Sequence, residues 1–160
     1  SLLWACTGIP ENAAPVDGFE RERYLGTWYE IARLDHSFER GLEKVTAEYS
    51  LRADGGLRVV NRGYDPARRQ WKEAIGKAYG VGDPTVGRLK VSFWGPFYSS
   101  YNIIALDLED YGHALVCGPT TSYLWILART PQMDPTLKRQ LIAKAQTLGF
   151  KTDKLIHVAH

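Results

Sequence analysis

The stretch that decides the fold is RYLGTWYEIARLDHSF, residues 23–38. Its most flexible backbone unit, Gly26, stands two residues before its largest side chain, Trp28. A buried strand usually begins with something less bulky, so the pairing of glycine and indole needs a reason. Working outward from Thr27, the chain becomes a series of short runs that alternate apolar and polar residues and end in turn residues.

Val45, Ala47, Tyr49 and Leu51 form one face of the next run, with Thr46, Glu48, Ser50 and Arg52 on the other. ADGG at 53–56 reads as a hairpin turn, because its glycines tolerate positive φ. Leu57, Val59 and Asn61 continue the pattern until Tyr64, Asp65 and Pro66 end it. QWKEAIGKAYG (70–80) is a fourth run, and DPTVG (83–87) is a turn. RLKVSFWG (88–95) sets Leu89, Val91 and Phe93 against Arg88, Lys90 and Ser92 before GPF (95–97) breaks it. YNIIALD (101–107), HALVCG (113–118) and YLWILART (123–130) complete eight runs. No helix separates them, so they suit an antiparallel meander. The expected fold is all-β, an eight-stranded up-and-down barrel whose closure removes its edges and whose interior is either filled or holds one small ligand.

One helix follows. Asp134 caps it, Pro135 suits its first turn and Gly149 its end. Leu137, Leu141, Ile142, Ala145 and Leu148 share a face that would pack outside the barrel, and KLIHVAH (154–160) reads as a last short strand.

A chain of 160 residues is the size of one ordinary domain, and its 44% hydrophobic and 24% charged residues are those of a globular protein. A net charge of +2 with scattered signs gives no support for a nucleic-acid partner. No apolar run approaches the ~20 residues of a membrane-spanning helix. Serine-nucleophile signatures such as GxSxG are absent, and His36, His113, His157 and His160 make no metal-ligand pattern. His113 and Cys117 share an outward strand face without a pocket. The expectation is a protein that is not an enzyme and needs no metal or organic cofactor.

Gly26, Thr27 and Trp28, with Arg129 in ILARTP (126–131), resemble the paired signatures of the lipocalins. The resemblance runs over residues 19–160. It is strongest in YLGTWYEIAR, FERGLEKVTAEYSLRADGGL, LKVSFWGPFY, HALVCGP and YLWIL, which look like the bacterial outer-membrane lipocalins and their animal relative apolipoprotein D. It implies that Gly26 turns the chain from a short 3₁₀ turn into the first strand. Trp28 would plug the closed end of the barrel, and the Arg129 guanidinium would lie across the indole, a cation–π contact worth about 0.5–2 kcal/mol. The family's middle Thr-Asp-Tyr motif is degraded: Asp107 fits, but Leu106 and Leu108 flank it, which puts the closed-end loop LEDYG (108–112) in doubt.

Strict alternation then assigns the interior. Trp28, Glu30 and Ala32 point in from the first strand, and Leu127, Trp125 and Tyr123 from the last. The others contribute Ala47, Tyr49, Val59, Val91, Phe93, Tyr101, Ile103 and Val116. In the fourth strand, alternation allows either face. The resemblance turns Ala74, Gly76 and Ala78 inward, whereas the pattern alone also admits Ile75 and Tyr79. Each of these residues serves as core packing or as ligand contact. An inward Glu30 is costly unless paired, and Arg129 or a tyrosine hydroxyl is its expected partner. Phe38 and Leu42, on the long loop DHSFERGLEK (35–44), and the WGPF loop (94–97) would frame the open end.

The resemblance implies binding, storage or transport of fatty acids or lysophospholipids at the bacterial outer membrane, facing the periplasm. Alternatives are a filled barrel acting as an interaction or dimerisation module, and a carrier of a ring-shaped lipophile such as haem. Residues 1–18 read as a signal-peptide remnant and tether ahead of a barrel domain at 19–160. Leu3-Trp4-Ala5-Cys6 resembles the lipobox of bacterial lipoproteins, in which the cysteine is acylated and meets the membrane surface, although Trp4 stands where that pattern prefers a small residue. The alternative is an incidental cysteine. The polar stretch 7–17 would be a flexible tether. A disulfide between Cys6 and Cys117 is not readable from spacing.

Overall fold

The computed structural model describes residues 5–160, with side chains from Thr7 onward. The described residues form strands β1 (Ala5–Cys6), β2 (Gly26–Arg33), β3 (Glu43–Leu51), β4 (Leu57–Asp65), β5 (Gln70–Gly80), β6 (Arg88–Trp94), β7 (Phe97–Leu106), β8 (His113–Cys117), β9 (Leu124–Ala128) and β10 (Ile156–His157). Helix α1 (Arg21–Tyr24) precedes β2, and α2 (Pro135–Thr147) follows β9. Each of β2 to β9 pairs antiparallel with the next, and β9 returns to β2, closing an eight-stranded meander. GPF ends β6 as expected, although Phe97 already belongs to β7. Gly95 and Pro96 form a two-residue link, and β6 and β7 run to a Trp94–Phe97 pair at its base.

Gly26 takes φ 101°, a left-handed conformation that costs a Cβ-bearing residue strain. That turn carries the chain from α1 into β2 and drops Trp28, fully buried, onto the barrel axis. The Trp28 Nε1–H donates to the Tyr24 carbonyl at 2.9 Å. Arg129 Cζ sits 3.9 Å from the indole centroid. Its nitrogens donate to the carbonyls of Tyr111 (3.1 Å), Thr27 (3.1 Å) and Arg23 (2.9 Å), tying three segments together. The flanking leucines leave the closed-end loop in order. Asp107 Oδ1 accepts from the amides of Glu109 and Asp110, and Oδ2 from that of Gly112 at 3.1 Å. Tyr111, buried at φ 52°, completes the plug with the Arg23 guanidinium 4.3 Å from its ring centroid.

A β-bulge in β2 between Glu30 and Ala32 corrects the interior assignment. Ile31 and Ala32 both join the outer cluster, and Arg33 takes the inward place. That outer cluster is covered by α2, whose Leu141 and Ala145 pack with Ile104, Leu115, Cys117 and Ile126. Asp134 Oδ2 accepts from the Leu137 amide at 3.0 Å, capping the helix. β10 then pairs antiparallel with the part of β2 that lies beyond β3.

The segment 7–17 lies against the barrel, unlike the flexible tether expected. The Ser100 hydroxyl donates to the Gly8 carbonyl at 2.6 Å, Arg88 Nη2 to that of Thr7 at 2.7 Å, and the Val16 amide to that of Ile103 at 2.9 Å. The cause is an unpaired edge. β8 covers β7 only from Asn102 onward, and β1 runs parallel to the remainder, Ala5 beside Tyr98 and Cys6 beside Ser99. The side chain of Cys6, and residues 1–4 with it, lie outside the described residues. Cys117 is a free, buried thiol whose pKa burial pushes up to about 12.

Candidate functional site

The plug fills only the lower part of the barrel. Above it lies a cavity of about 550 Å³, within the ~300–1,000 Å³ that holds one small ligand. Ala47 and Tyr49 of β3, Val59 of β4, Ala74 of β5, and Val91 and Phe93 of β6 stand on its wall. Tyr101 of β7, with Tyr123 and Trp125 from the β9 side, closes the ring. Ala78, Ile103 and Val116 also face inward, but they belong to the packed layer with Tyr24, Trp28 and Tyr111. Gly76 is not part of the cavity wall. A Cβ there would come within 2.6 Å of the Ser92 carbonyl and 2.7 Å of the Phe93 ring, so its bareness lets β5 approach β6. In the fourth strand the small residues hold the inner face: Ile75 is half exposed, and Tyr79 turns away to donate to Asp54 at 2.6 Å.

The cavity floor is a tyrosine cluster. The Tyr49 hydroxyl donates to that of Tyr101 at 3.0 Å, and Tyr101 shares a hydrogen bond with Tyr24. Burial raises the pKa of all three, so the floor is uncharged. Its hydroxyls satisfy one another and offer little to a charged head.

The upper wall carries charge, in a cluster that alternation does not reveal. Glu30 is buried, and its partner is Arg33, Oε1 to Nη1 at 3.2 Å, not Arg129 or a tyrosine. The bulge explains this, because it turns Arg33 onto the face of Glu30. Arg33 Nη2 also donates to the carbonyls of Glu39 (2.8 Å) and Leu42 (3.2 Å). Trp125 Nε1–H donates to Glu39 Oε1 at 3.3 Å, and His36 Nε2 lies 3.2 Å from the same oxygen. The loop after β2 is thereby fastened over the mouth, with Phe38 85% exposed at its tip. Burial, and then the neighbouring Glu39, push the Glu30 pKa well above the usual carboxylate range. Burial would raise Glu39 too, but hydrogen bonds from His36 and Glu30 and the charge of Arg33 outweigh it and hold Glu39 below that range. The two carboxyls are thus shifted in opposite directions, Glu30 toward keeping its proton and Glu39 toward losing it.

Sequence reasoning missed Arg33, His36 and Glu39. The one available signal was an arginine three residues after an inward glutamate. Among the described residues no three His, Cys, Asp or Glu side chains gather as a metal site, and no helix is long and apolar enough to cross a membrane.

Comparison with known proteins agrees with this geometry. The family profile described as a lipocalin-like domain matches residues 19–160. The outer membrane lipoprotein Blc of Citrobacter freundii is 59% identical over 159 residues, covering 98% of this chain and 89% of the relative. The Vibrio cholerae protein of the same name is 55% identical, covering 98% and 92%. Insecticyanin from the tobacco hornworm Manduca sexta superposes with a TM-score of 0.75 over 96% of this chain and 87% of its own, at 18% identity, and shares the fold.

Proposed function

The chain belongs to the lipocalin family, and from that premise we propose that its cavity takes up the acyl chain of a fatty acid or lysophospholipid, non-catalytically, for storage or transport at the bacterial outer membrane. One observation carries this reading: a cavity of about 550 Å³, stopped below by Trp28 and Arg129, with a neutral floor and a wall that is apolar beneath its charged upper part. Each buried CH₂ gains about 0.8 kcal/mol, so a long chain gains on the order of 10 kcal/mol before ordering and association costs. Micromolar affinity is the expectation. A carboxylate or phosphate head stays at the mouth, where water reaches it. An open cavity also favours this reading over the filled interaction module.

The relatives' printed name, outer membrane lipoprotein, supports Cys6 as the acylated anchor, with the residues before it as leader. Displacement of a fluorescent fatty acid by unlabelled acyl lipids tests the cavity, with Trp125 emission as a second readout. Displacement with an emission change is expected; inertness of both toward every acyl lipid overturns the reading. A folded Trp125→Ala protein that binds as well as wild type removes Trp125 from the site. Mass spectrometry of the protein from its host tests the anchor, which predicts an acylated Cys6.

A further inference from the structure

The open rim carries the most exposed large apolar side chains of the described molecule. Phe38 at 85% and Trp94 at 76% lead them, and they stand on separate loops around the same opening. Trp94 stacks on half-exposed Phe97, rings 15° apart with centroids at 5.6 Å, beside the turn at Gly95 and Pro96. At the same end of the barrel the β4–β5 hairpin carries Arg68 and Arg69 in its turn and Lys72 on β5, three cations against the carboxylates of Asp65 and Glu73. The backbone of Cys6 lies at this end too. It is paired with Ser99, two residues beyond Phe97, a distance of ~7 Å along a strand.

We propose that this rim is a membrane-docking surface: the barrel stands mouth-down on an anionic bilayer, with Phe38, Trp94 and Phe97 in the headgroup layer. Three observations select a bilayer as the occupant. Separate apolar tips around a hole offer a protein partner little of the continuous ~800 Å² per side that a stable interface needs, whereas a soft surface moulds to them. Tryptophan with flanking cations is the pairing that interfaces between water and anionic lipid favour. The chain leaves the barrel at the same rim, so an anchor at Cys6 holds this face, not the plugged one, against the lipid. The last argument rests on the anchored-carrier reading. The first two do not, and the test dispenses with the anchor.

The experiment uses the full chain as Cys6→Ser, unacylated and free of ligand, sedimented with vesicles of phosphatidylethanolamine and phosphatidylglycerol. Expected is measurable partitioning that weakens with added salt and falls at least about tenfold in a Trp94→Ser/Phe97→Ser protein that melts like its parent. A Leu51→Ser/Leu108→Ser protein provides the control. Those leucines are exposed at 54% and 47%, but at the plugged end, and their loss leaves partitioning unchanged. No partitioning by the parent, full retention by the rim variant, or equal loss by the control overturns the proposal. So does lipid-free self-association that quenches Trp94, which would assign the rim to a second copy. Sedimentation needs no acyl ligand and displacement needs no bilayer, so the two readings fail separately.

Discussion

At the scale of single residues, the closed end depends on Arg129. Its guanidinium covers the indole of Trp28 and donates to three backbone carbonyls from three segments. Arg129→Ala removes all four contacts at a half-exposed site and is expected to cost about 2–3 kcal/mol, read as a lower urea midpoint at unchanged slope. Arg129→Lys recovers less than half of that, because an ammonium cannot fork across three acceptors. Glu30 offers a different signature. Its folded pKa lies above the ordinary 4.5, so the folded state binds the proton more tightly than the unfolded chain. That contribution is complete below pH 4.5 and is lost as pH rises toward the raised folded value. Glu39, held low, works in the opposite sense and loses its contribution as pH falls. Glu30→Gln keeps the shape and a donor toward Glu39 while abolishing the first effect. Thermal melts across pH are expected to show the decline above pH 4.5 in wild type and its absence in the variant.

At the scale of elements, strands with strict alternation were legible. Val45, Ala47 and Tyr49, or Tyr123, Trp125 and Leu127, could be assigned to the interior by counting in twos, and all reach the cavity. β2 was legible only up to Glu30, because Ile31-Ala32 reads as ordinary alternation and a small alanine fits either face. The bulge that moves Ala32 outside also creates the Arg33 clamp, so one irregularity hid both. Alternation gives the side of a sheet but not the height on it. This is why Ala78, Ile103 and Val116 were placed with the cavity residues although they lie in the plug. Gly76 shows a related limit: a small residue that looks like added room is needed for strand approach. Gly76→Ala is expected to cost about 1–3 kcal/mol in urea unfolding, because the carbonyl of Ser92 cannot retreat without opening the β5–β6 ladder.

On the scale of the whole molecule, the barrel is two stacked compartments, a packed plug and an open chamber. The helix stiffens the outside along β7 to β9 and takes no part in either. Filling the chamber from its floor, just beside the plug, is therefore a direct test. Ala47 stands on the wall between Trp28 of β2 and Asn61 of β4. Ala47→Trp is expected to weaken long acyl chains at least about tenfold and short ones far less, since each displaced CH₂ forfeits about 0.8 kcal/mol. Displacement titrations over a series of chain lengths would show it. The charged ceiling was the least legible feature in sequence. Its members come from a strand and an irregular loop, and only their convergence on Trp125 makes them a site.

The plug formed by Trp28, Tyr24 and Tyr111 also gives the chamber a single door. Cargo cannot pass through; it backs out by the route it took in, and a newcomer cannot push out the previous occupant from behind. Exchange is then limited by departure of the resident molecule, so residence time sets delivery, and a loaded barrel is deaf to how much free ligand surrounds it.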